Sequence, residues 1–259
     1  CLNYANIVLL SKSDGANSLS AFRPISLLNT TFKLITKVLA NRLQTHMDSL
    51  VGVEQSAFIK GRSILDCVAA TQEVISHCHS YNIPGVLLKL DFSKAFDSVN
   101  WNFILELLMH RGFPPKWCNW IKSILNSSLS SIQIGGVSGG LIKSARGLRQ
   151  GDPLSPLIFV LVVNVFNRMI KPAIADNYLA GICPPNPNPN SYPNLMISNL
   201  QFADDTILFV SPSPEHIHSL KVLLYTFELI SGLSINFNKS SVIMLGNADH
   251  LCPRIASTL

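Results

Sequence analysis

The sequence has little of what marks membrane-spanning or disordered proteins. Charged residues make up only 14% of the 259 positions and aromatic residues 8%. The longest apolar run, residues 156–166, is interrupted at Asn164 and is shorter than the ~18 to 20 residues that span a bilayer. A hydrophobic content of 47% is ample for a packed core. We therefore expect a globular protein with a buried helix at this run and no membrane partner.

The six cysteines give no sign of disulfide or zinc chemistry. No two of them form a CxxC pair, and their spacing matches no zinc-ligand pattern. Although His77, Cys78 and His79 are adjacent, neighbours on a predicted helix point in different directions. We expect reduced core thiols in an intracellular protein. The chain begins with Cys1 rather than Met and lacks a signal pattern, which indicates a piece of a longer polypeptide.

Positive charge is concentrated near the N-terminus. The net charge is +5, and residues 1–62 hold seven Lys and Arg against three acids. The conspicuous acids, among them Asp91, Asp204 and Asp205, come later. A basic region beside an acidic site suits a polyanionic substrate. The alternative is a solvated helix face, because Lys33, Lys37 and Arg42 are spaced at roughly helical intervals.

Apolar periodicity and turn residues predict a chain of mixed helices and strands. Ser63 and Asp66 form a possible capping box for a helix that ends near Cys78. Residues 86–91 are mostly apolar and follow Pro-Gly, which predicts a central strand that ends in an acid. The Pro- and Asn-rich residues 184–193 predict an exposed loop. The other predicted elements are a hairpin (7–10 and 22–28), helices at 31–50, 101–111, 114–125 and 213–231, a second hairpin (131–134 and 141–144), a buried helix that ends before Pro172, and a last strand or hairpin at 235–245.

Two adjacent carboxylates, Asp204 and Asp205, lie between two short apolar runs within residues 200–209. This pattern predicts a strand, a tight turn with the acids at its tip, and a returning strand. Neighbouring carboxylates repel, so a pair in apolar surroundings is costly unless a cation neutralises it. A hard divalent ion with oxygen ligands is the obvious candidate. By itself, the pair is more typical of an exposed turn, and only the rest of the chain favours the metal site.

Asp91 is a third acid at a strand end, more than a hundred residues before the pair. Two such strand ends can meet in one sheet. Three carboxylates there would hold two Mg²⁺ ions ~3.5 to 4 Å apart, the arrangement that activates a 3′-hydroxyl and stabilises a leaving pyrophosphate. The acids therefore indicate nucleotidyl-transfer chemistry.

Several motifs in order resemble those of the reverse transcriptases, and closely those of non-LTR (LINE-type) retrotransposons, plant elements in particular. The resemblance covers almost the whole chain. It is carried by FRPIS (22–26) and KVLANRL (37–43), QSAF (55–58) with Gly61 and Arg62, LDFSKAFD (90–97), RQGDPLSP (149–156), FADD (202–205), and SGL through KS (231–240). These runs are similar to the fingers motifs, the segment after them, and motifs A, B, C and D.

The resemblance implies an α+β right-hand polymerase fold with an antiparallel palm sheet packed on helices. Fingers would occupy about residues 1–85 and the palm about residues 86–259. It also implies RNA-directed DNA polymerase activity, with an RNA template, a DNA primer and dNTPs as partners. Two Mg²⁺ ions would be the cofactors, with Mn²⁺ as an alternative. The location of the protein is not indicated by the sequence, although the resemblance implies the nucleus.

The resemblance also assigns roles to individual residues. Asp91, Asp204 and Asp205 would bind metal and act in catalysis. Lys12 and Arg23 would contact the triphosphate, where their cations suit phosphate oxygens. The incoming nucleotide would meet Gln150 and Gly151, and Phe96 would wall the sugar pocket. Lys239 would protonate the leaving pyrophosphate, with an exposed turn lysine as its alternative.

Other candidate residues have structural interpretations. Asp97 is expected to cap the following helix or to pair with a basic residue. Asp152 precedes Pro153 and is expected to cap the helix that follows. Trp117 and Trp120 share a predicted helix face with Ile121, which favours the core over base stacking.

Only twenty residues follow Lys239. We expect the thumb and the endonuclease to belong to a parent polyprotein. Two alternatives stay open: a maturase-like reverse transcriptase of a group II intron, and an inactive remnant or nucleic-acid-binding protein.

Overall fold

The computed structural model describes residues 2–15, 17–183 and 196–258, and it divides into two compact units. The first unit comprises Cys1–Met47 and Lys94–Phe159, and the second comprises Asp48–Ser93 and Val160–Leu259. The predicted loop at residues 184–193 lies outside the described residues. The boundary between fingers and palm near residue 85 stays a prediction.

The described residues form a mixture of helices and strands. In chain order they are β1 (Tyr4–Ser11), a 3-10 turn (Leu19–Ala21), β2 (Phe22–Leu28), α1 (Thr30–Gln44), α2 (Met47–Leu50), α3 (Ile64–Ser80), β3 (Gly85–Leu90), α4 (Ala95–Ser98), α5 (Trp101–His110), α6 (Pro115–Asn126), β4 (Leu129–Ile134), β5 (Val137–Ser138), β6 (Ile142–Lys143), α7 (Ser155–Ala175), β7 (Asn199–Phe202), β8 (Asp205–Val210), α8 (Pro214–Ser231), β9 (Ser241–Leu245), a 3-10 turn (Asp249–Leu251) and α9 (Cys252–Thr258).

The first unit is organised around the β1–β2 hairpin. The two strands pair antiparallel from Ala5 opposite Leu28 to Ser11 opposite Phe22, as the sequence predicts. On its other side β1 pairs in parallel with β4, which in turn pairs with β5 and β6. Phe32 of α1 packs with Ala5 and Leu28, and Ile124 of α6 covers the same cluster. These helices therefore fix one face of the sheet that carries the hairpin.

The second unit contains a four-stranded antiparallel sheet in the order β7, β8, β3, β9. The predicted central position of β3 is confirmed, because β3 pairs with both β8 and β9. Helix α3 packs on this sheet through Val74 and Cys78, which contact Leu87 and Phe209. The predicted capping box of α3 is present. The α+β class and the antiparallel sheet packed on helices are thus confirmed.

The predicted single helix over residues 31–50 is wrong, because the chain forms two helices there. Helix α1 ends at Gln44, and α2 begins at Met47. At the break, the Thr45 hydroxyl donates to the Arg42 carbonyl at 2.7 Å and the His46 amide donates to the Leu43 carbonyl at 2.9 Å. These bonds close the last turn of α1, as short polar side chains often do at helix ends.

The buried helix α7 is longer than predicted and runs through Pro172 to Ala175. Proline removes the amide that would bond the carbonyl of Arg168, but both residues are exposed, so water can satisfy that carbonyl. Of the described residues, α7 forms the one helix long and apolar enough to cross a membrane by length and composition. However, 61% of its apolar window is buried inside the protein, which is typical of a core helix.

Candidate active site

The two adjacent acids lie at the tip of the β7–β8 hairpin, as predicted. Phe202 pairs with Asp205, so Ala203 and Asp204 form the two-residue turn. Ala203 has φ +57°, the left-handed conformation that such turns require. For a residue other than glycine this conformation costs about 1 to 2 kcal/mol. Asp204 is half-buried and Asp205 is exposed. The turn therefore holds the two carboxylates at the rim of the sheet.

Strand register brings Asp91 to the same rim. The last residue pair between β3 and β8 is Leu90 with Thr206. Asp91 directly follows Leu90 at the end of β3, and Asp205 directly precedes Thr206 at the start of β8. The two acids therefore lie at neighbouring strand ends on the same edge of the sheet. The predicted meeting of the two acidic strand ends thus has a specific geometry.

The backbone of Asp91 is tied to the segment that carries Lys239. The Asp91 amide donates to the Ser240 hydroxyl at 3.2 Å, and its carbonyl accepts from the Asn236 amide at 2.7 Å. The Lys239 side chain is exposed in the turn between these two anchors. These bonds place Lys239 one residue from the group that holds Asp91.

The described residues contain no group of three or more His, Cys, Asp or Glu side chains arranged to hold a metal ion. The chemistry of the donor set nevertheless suits a hard cation, since carboxylate oxygens are the ligands that Mg²⁺ and Ca²⁺ prefer. The residues at the rim of the second unit therefore fit a divalent cation by ligand type and by strand register.

The two predicted phosphate-binding cations lie on the β1–β2 hairpin of the first unit. Arg23 pairs with Leu10, and the Lys12 amide donates to the Ala21 carbonyl at 2.9 Å, which extends the ladder by one bond. Both cationic residues are exposed. Arg23 and Lys12 are thus diagonal neighbours at the loop end of one hairpin, within reach of a common anion.

The loop with Gln150 and Gly151 is fastened to the same hairpin. The Ser26 amide donates to the Gln150 carbonyl at 2.9 Å. Gly151 has φ +113°, and a Cβ atom there would lie 2.7 Å from the Ser26 carbonyl oxygen. Glycine is therefore required for this close approach between loop and strand. The proposed role of Gly151 toward a nucleotide stays a prediction, and its contact with Ser26 is a structural reason for the residue.

Phe96 lies in α4 and is half-buried. Its ring stacks on the fully buried Phe159, with centroids 4.5 Å apart and an interplanar angle of 16°. Its carbonyl accepts from the Leu148 amide at 2.6 Å. The ring thus has a rigid support on one side, while part of its surface is open. This arrangement is compatible with the predicted wall of a sugar pocket.

Arg149 fastens the same loop to the sheet of the first unit. Its guanidinium donates to the Asn3 side chain at 2.5 Å, to the Asn3 carbonyl at 3.1 Å and to the Leu129 carbonyl at 2.9 Å. Burial lowers the pKa of Arg149, and the nearby Asp152 opposes this shift. Arg149 therefore joins the starts of β1 and β4 to the loop that precedes α7, a role that the sequence did not indicate.

Asp152 caps the start of α7, as predicted. Its carboxylate accepts from the Leu154 amide at 3.1 Å and from the Ser155 hydroxyl at 3.2 Å. Burial raises the pKa of Asp152, and hydrogen bonds from Leu154, Thr36 and Ser155 together with Arg149 partly oppose the shift. The carboxyl group thus serves the helix start while its charged form pays a desolvation penalty.

One of the two tryptophans of α6 is not where the sequence placed it. Trp120 is 37% exposed and Trp117 is half-buried, whereas Ile121 is fully buried. The expectation that both indoles belong to the core is therefore wrong for Trp120. The Lys116 ammonium lies 5.3 Å from the centroid of the Trp120 ring, a cation–π contact at the surface. The exposed position follows from α6 turning its Ile121 edge, rather than its Trp120 edge, toward the core.

Comparison with known proteins decides the family. The chain matches the reverse transcriptase (RNA-dependent DNA polymerase) family over residues 10–252. It belongs to this family. The resemblance noted in the motifs is thus confirmed, and the motifs that carry the acids, the QGDP loop and the FRPIS strand all fall within the matched residues.

Several relatives of this family member are proteins of non-LTR retrotransposons. It is 25% identical over 243 residues to the transposon TX1 uncharacterized 149 kDa protein of Xenopus laevis, covering 94% of this chain and 18% of that protein. It is 32% identical over 164 residues to the R2 Pol polyprotein of Nasonia vitripennis, covering 63% and 16%. With the R2DM Pol polyprotein of Drosophila melanogaster it shares 28% over 241 residues, covering 92% and 21%. The chain thus spans about a fifth of the length of these curated relatives.

Solved telomerase structures have a similar fold. An apo telomerase from Candida tropicalis aligns with a TM-score of 0.64 at 15% identity, covering 94% of this chain and 50% of that one. The telomerase of the same organism in complex with a fragment of telomeric RNA gives a TM-score of 0.66 at 13% identity, covering 96% and 42%. At these identities the likeness concerns the fold, and it confirms the reverse-transcriptase-like class.

Proposed function

We propose that this chain is the polymerase portion of a non-LTR retrotransposon reverse transcriptase and that it extends a DNA primer on an RNA template with dNTPs. The observation that carries the proposal is the register of β3 and β8, which brings the strand end before Asp91 next to the turn with Asp204 and Asp205 in a chain of the reverse transcriptase family. Family membership alone supports the reaction class. The register adds a place on the sheet where the reaction would occur.

The three acids would hold two divalent cations, with Mg²⁺ as the expected ion and Mn²⁺ as the alternative. When bound, such ions supply charge stabilisation for the primer hydroxyl and the leaving pyrophosphate. The contribution of the chain itself is placement, because the turn at Ala203 and the bonds to Asn236 and Ser240 fix the backbone on which Asp91 and Asp204 are carried.

Four groups of the first unit would bind the incoming nucleotide. Lys12 and Arg23 would contact the triphosphate from the loop end of the hairpin, because exposed cations on a rigid ladder favour phosphate oxygens. Gln150 and Gly151 would contact the nucleotide from the loop that Ser26 fastens to the same hairpin. These bonds support joint positioning of the four residues.

Two further residues would act on the sugar and on the leaving group. Phe96, supported by Phe159, would wall the pocket below the sugar. The exposed ammonium of Lys239 would deliver a proton to the pyrophosphate as it departs, a contribution of the general-acid type. The proposed role of Lys239 is supported by its position in the chain, because the next residue, Ser240, accepts a hydrogen bond from the Asp91 amide.

The proposed partners are an RNA template, a DNA primer and dNTPs. The retrotransposon relatives are several times longer than this chain, which supports a parent polyprotein that supplies the thumb and endonuclease regions. A net charge of +5 supports an interaction with nucleic acid backbones.

Primer extension on an RNA template, in the presence of dNTPs and Mg²⁺, tests the proposal. We expect extension by a longer polypeptide that retains the whole of this chain. Asp204→Asn should lower the rate by about a thousandfold, since a neutral amide is a poor Mg²⁺ ligand and metal contributes several kcal/mol at about 1.4 kcal/mol per tenfold.

The matched control is Asp249→Asn, which removes an exposed acid from the same unit. It should extend primers at the rate of the unsubstituted protein, and circular dichroism should show that both variants are folded. Extension by Asp204→Asn at the unsubstituted rate would contradict the site assignment.

A further inference from the structure

An outer strand of the catalytic sheet is covered by a short segment far from it in sequence. Strand β7 lies at the end of the strand order, so one of its edges has no neighbouring strand of the sheet. Residues 54–56 occupy this edge: the Gln201 amide donates to the Glu54 carbonyl at 2.7 Å, and the Ser56 amide donates to the Gln201 carbonyl at 3.0 Å. Gln55 forms a parallel bridge with Gln201. The segment therefore reaches the strand that leads into the acidic turn.

The side chain of Gln55 binds the turn directly. Its carbonyl oxygen accepts from the Ala203 amide at 3.0 Å and from the Ala57 amide at 2.9 Å. Both partners are backbone N–H groups, which only donate, so the oxygen of the Gln55 amide must face them. Its nitrogen then lies toward the Ala203 carbonyl at 3.4 Å. A single buried side-chain amide thus forms hydrogen bonds with both the N–H and the carbonyl of Ala203.

Ala203 is the residue where the turn needs such support. It adopts φ +57° although it is not glycine, and it immediately precedes Asp204. A left-handed residue persists only where the surroundings over-determine it. The two contacts from Gln55 supply this determination within a fully buried environment, because Gln55 has no exposed surface.

The same polar cluster also holds the residue after the acids. The Gln55 nitrogen is 3.5 Å from the Gln201 side-chain oxygen, and the Gln201 nitrogen donates to the Thr206 hydroxyl at 3.2 Å. Gln201 and Thr206 are also fully or almost fully buried. The cluster therefore binds the chain on both sides of Asp204 and Asp205, through the Ala203 backbone and the Thr206 hydroxyl.

Gln55 is itself held in place. The backbone amide of Gln55 donates to the Gly52 carbonyl at 3.3 Å, and its backbone carbonyl accepts from the Arg62 guanidinium at 2.7 Å. The other guanidinium nitrogen of Arg62 bonds Asp48 at 2.6 Å and the Val51 carbonyl at 3.2 Å. The loop that presents Gln55 is therefore anchored by the Arg62 guanidinium and its ion pair with Asp48.

We propose that Gln55 is a positioning residue for the metal-binding acids: its buried amide fixes the left-handed Ala203 and thereby sets the direction of the Asp204 and Asp205 carboxylates. The inference rests on the proposed function, since it assigns a purpose to the turn only if these acids bind cations. Gln55 touches neither substrate nor cation, and it acts through the backbone of the turn.

Mn²⁺ binding by this chain, measured by electron paramagnetic resonance of the free ion, tests the inference without any need for primer extension. Gln55→Met keeps the side-chain length and removes both hydrogen-bonding groups. We expect it to weaken Mn²⁺ binding about 10- to 100-fold, the usual loss when a partner outside the ligand set is removed. Asp204→Asn should weaken binding at least as much.

Asn167→Leu is the matched control. Asn167 is also a buried amide of the second unit, and it accepts from the Asn199 side chain at 2.5 Å, at the end of β7 away from the acidic turn. Its loss should lower the melting temperature as Gln55→Met does, yet leave Mn²⁺ affinity unchanged. A merely structural role of Gln55 predicts the same Mn²⁺ affinity in both variants.

Each outcome is decisive. Unchanged Mn²⁺ affinity in Gln55→Met, or an equal loss in Asn167→Leu, would overturn the inference while leaving the proposed function intact. Unchanged affinity in Asp204→Asn would overturn the proposed function and the inference with it. If Gln55→Met does not fold, the near-isosteric Thr206→Val decides: we expect a smaller but measurable loss of Mn²⁺ affinity, and no loss would overturn the inference.

Discussion

The two units carry opposite charge. The first unit has twelve Lys and Arg against four Asp and Glu, a net of +8, whereas the second has eight against eleven, a net of −3. The net of +5 for the whole chain conceals this division. The proposed phosphate contacts, Lys12 and Arg23, belong to the positive unit, and the proposed metal ligands belong to the negative one. Substrate anions and catalytic cations thus each have a unit of suitable sign.

The units also differ in how firmly they hold their charged groups. Lys12 and Arg23 are long side chains exposed at the end of a hairpin. Asp91 and Asp204 are short side chains on backbone that is bonded on both sides of the strand ends. A phosphate accepts contacts over a range of positions, but a cation bound by several oxygens tolerates little error, especially Mg²⁺ with its near-octahedral demand. The comparison therefore predicts different kinetic effects for the two units.

Removing a cation from the first unit should weaken nucleotide binding. We expect Arg23→Ala to raise the KM for dNTP about 10- to 150-fold with a smaller change in kcat, because a hydrogen bond to a charged group contributes roughly 1.5 to 3 kcal/mol. Arg42→Ala removes the same charge from an exposed position of α1 and should change KM less than about twofold if only a screened long-range effect acts there. Equal effects of the two variants would show that net charge, rather than the position of Arg23, governs binding.

Truncating the aromatic wall should change sugar selection within the first unit. A 2′-hydroxyl would overlap the Phe96 ring or force it off its rotamer, at a cost of roughly 1 to 3 kcal/mol. We therefore expect Phe96→Val to raise the ratio of kcat/KM for rNTP to that for dNTP by roughly 5- to 150-fold. Phe96→Tyr keeps the ring and should retain the original ratio. A fall in both kcat/KM values with an unchanged ratio would assign Phe96 to the core.

The buried acid of the first unit should give the smallest effect, on stability alone. Because burial raises the pKa of Asp152, its native pKa lies above that of the unfolded chain, so the folded protein binds the proton more tightly. This group then adds stability as pH falls through the raised native pKa and down to the ordinary value of 3.8.

Asp152→Asn should remove that increment. The measurement is the free energy of unfolding against pH for both proteins. The value for the unsubstituted protein should rise relative to that of Asp152→Asn as its carboxyl group becomes protonated. A difference that is independent of pH from neutrality to pH 4 would contradict the raised pKa of Asp152.

Local patterns predicted much of the second unit. The capping box of Ser63 and Asp66, the central strand before Asp91 and the hairpin around Asp204 all follow from residues within a few positions of one another. Such features depend on short-range chemistry and on strand alternation, which the sequence displays directly.

Long-range contacts were not predictable in the same way. Gln55 lies 148 residues before Ala203, and nothing in a polar residue of a loop signals that its amide will be buried there. The parallel pairing of β1 with β4 and the contacts of Arg149 with Asn3 are likewise non-local. Helix α7 continues beyond Pro172 because the Arg168 carbonyl, which loses its hydrogen-bond donor there, belongs to an exposed residue. This exposure depends on tertiary packing rather than on helix propensity.

We propose that Asp91 and the Asp204–Asp205 turn share one metal site. Fe²⁺ in place of Mg²⁺, with ascorbate and peroxide, cuts the backbone near the bound ion and so reports which segments surround it. We expect cuts in both segments, close to residue 91 and close to residues 204–205, that disappear together in Asp204→Asn and on addition of excess Mg²⁺. Cuts confined to one segment, or cuts that persist in Asp204→Asn, would contradict it.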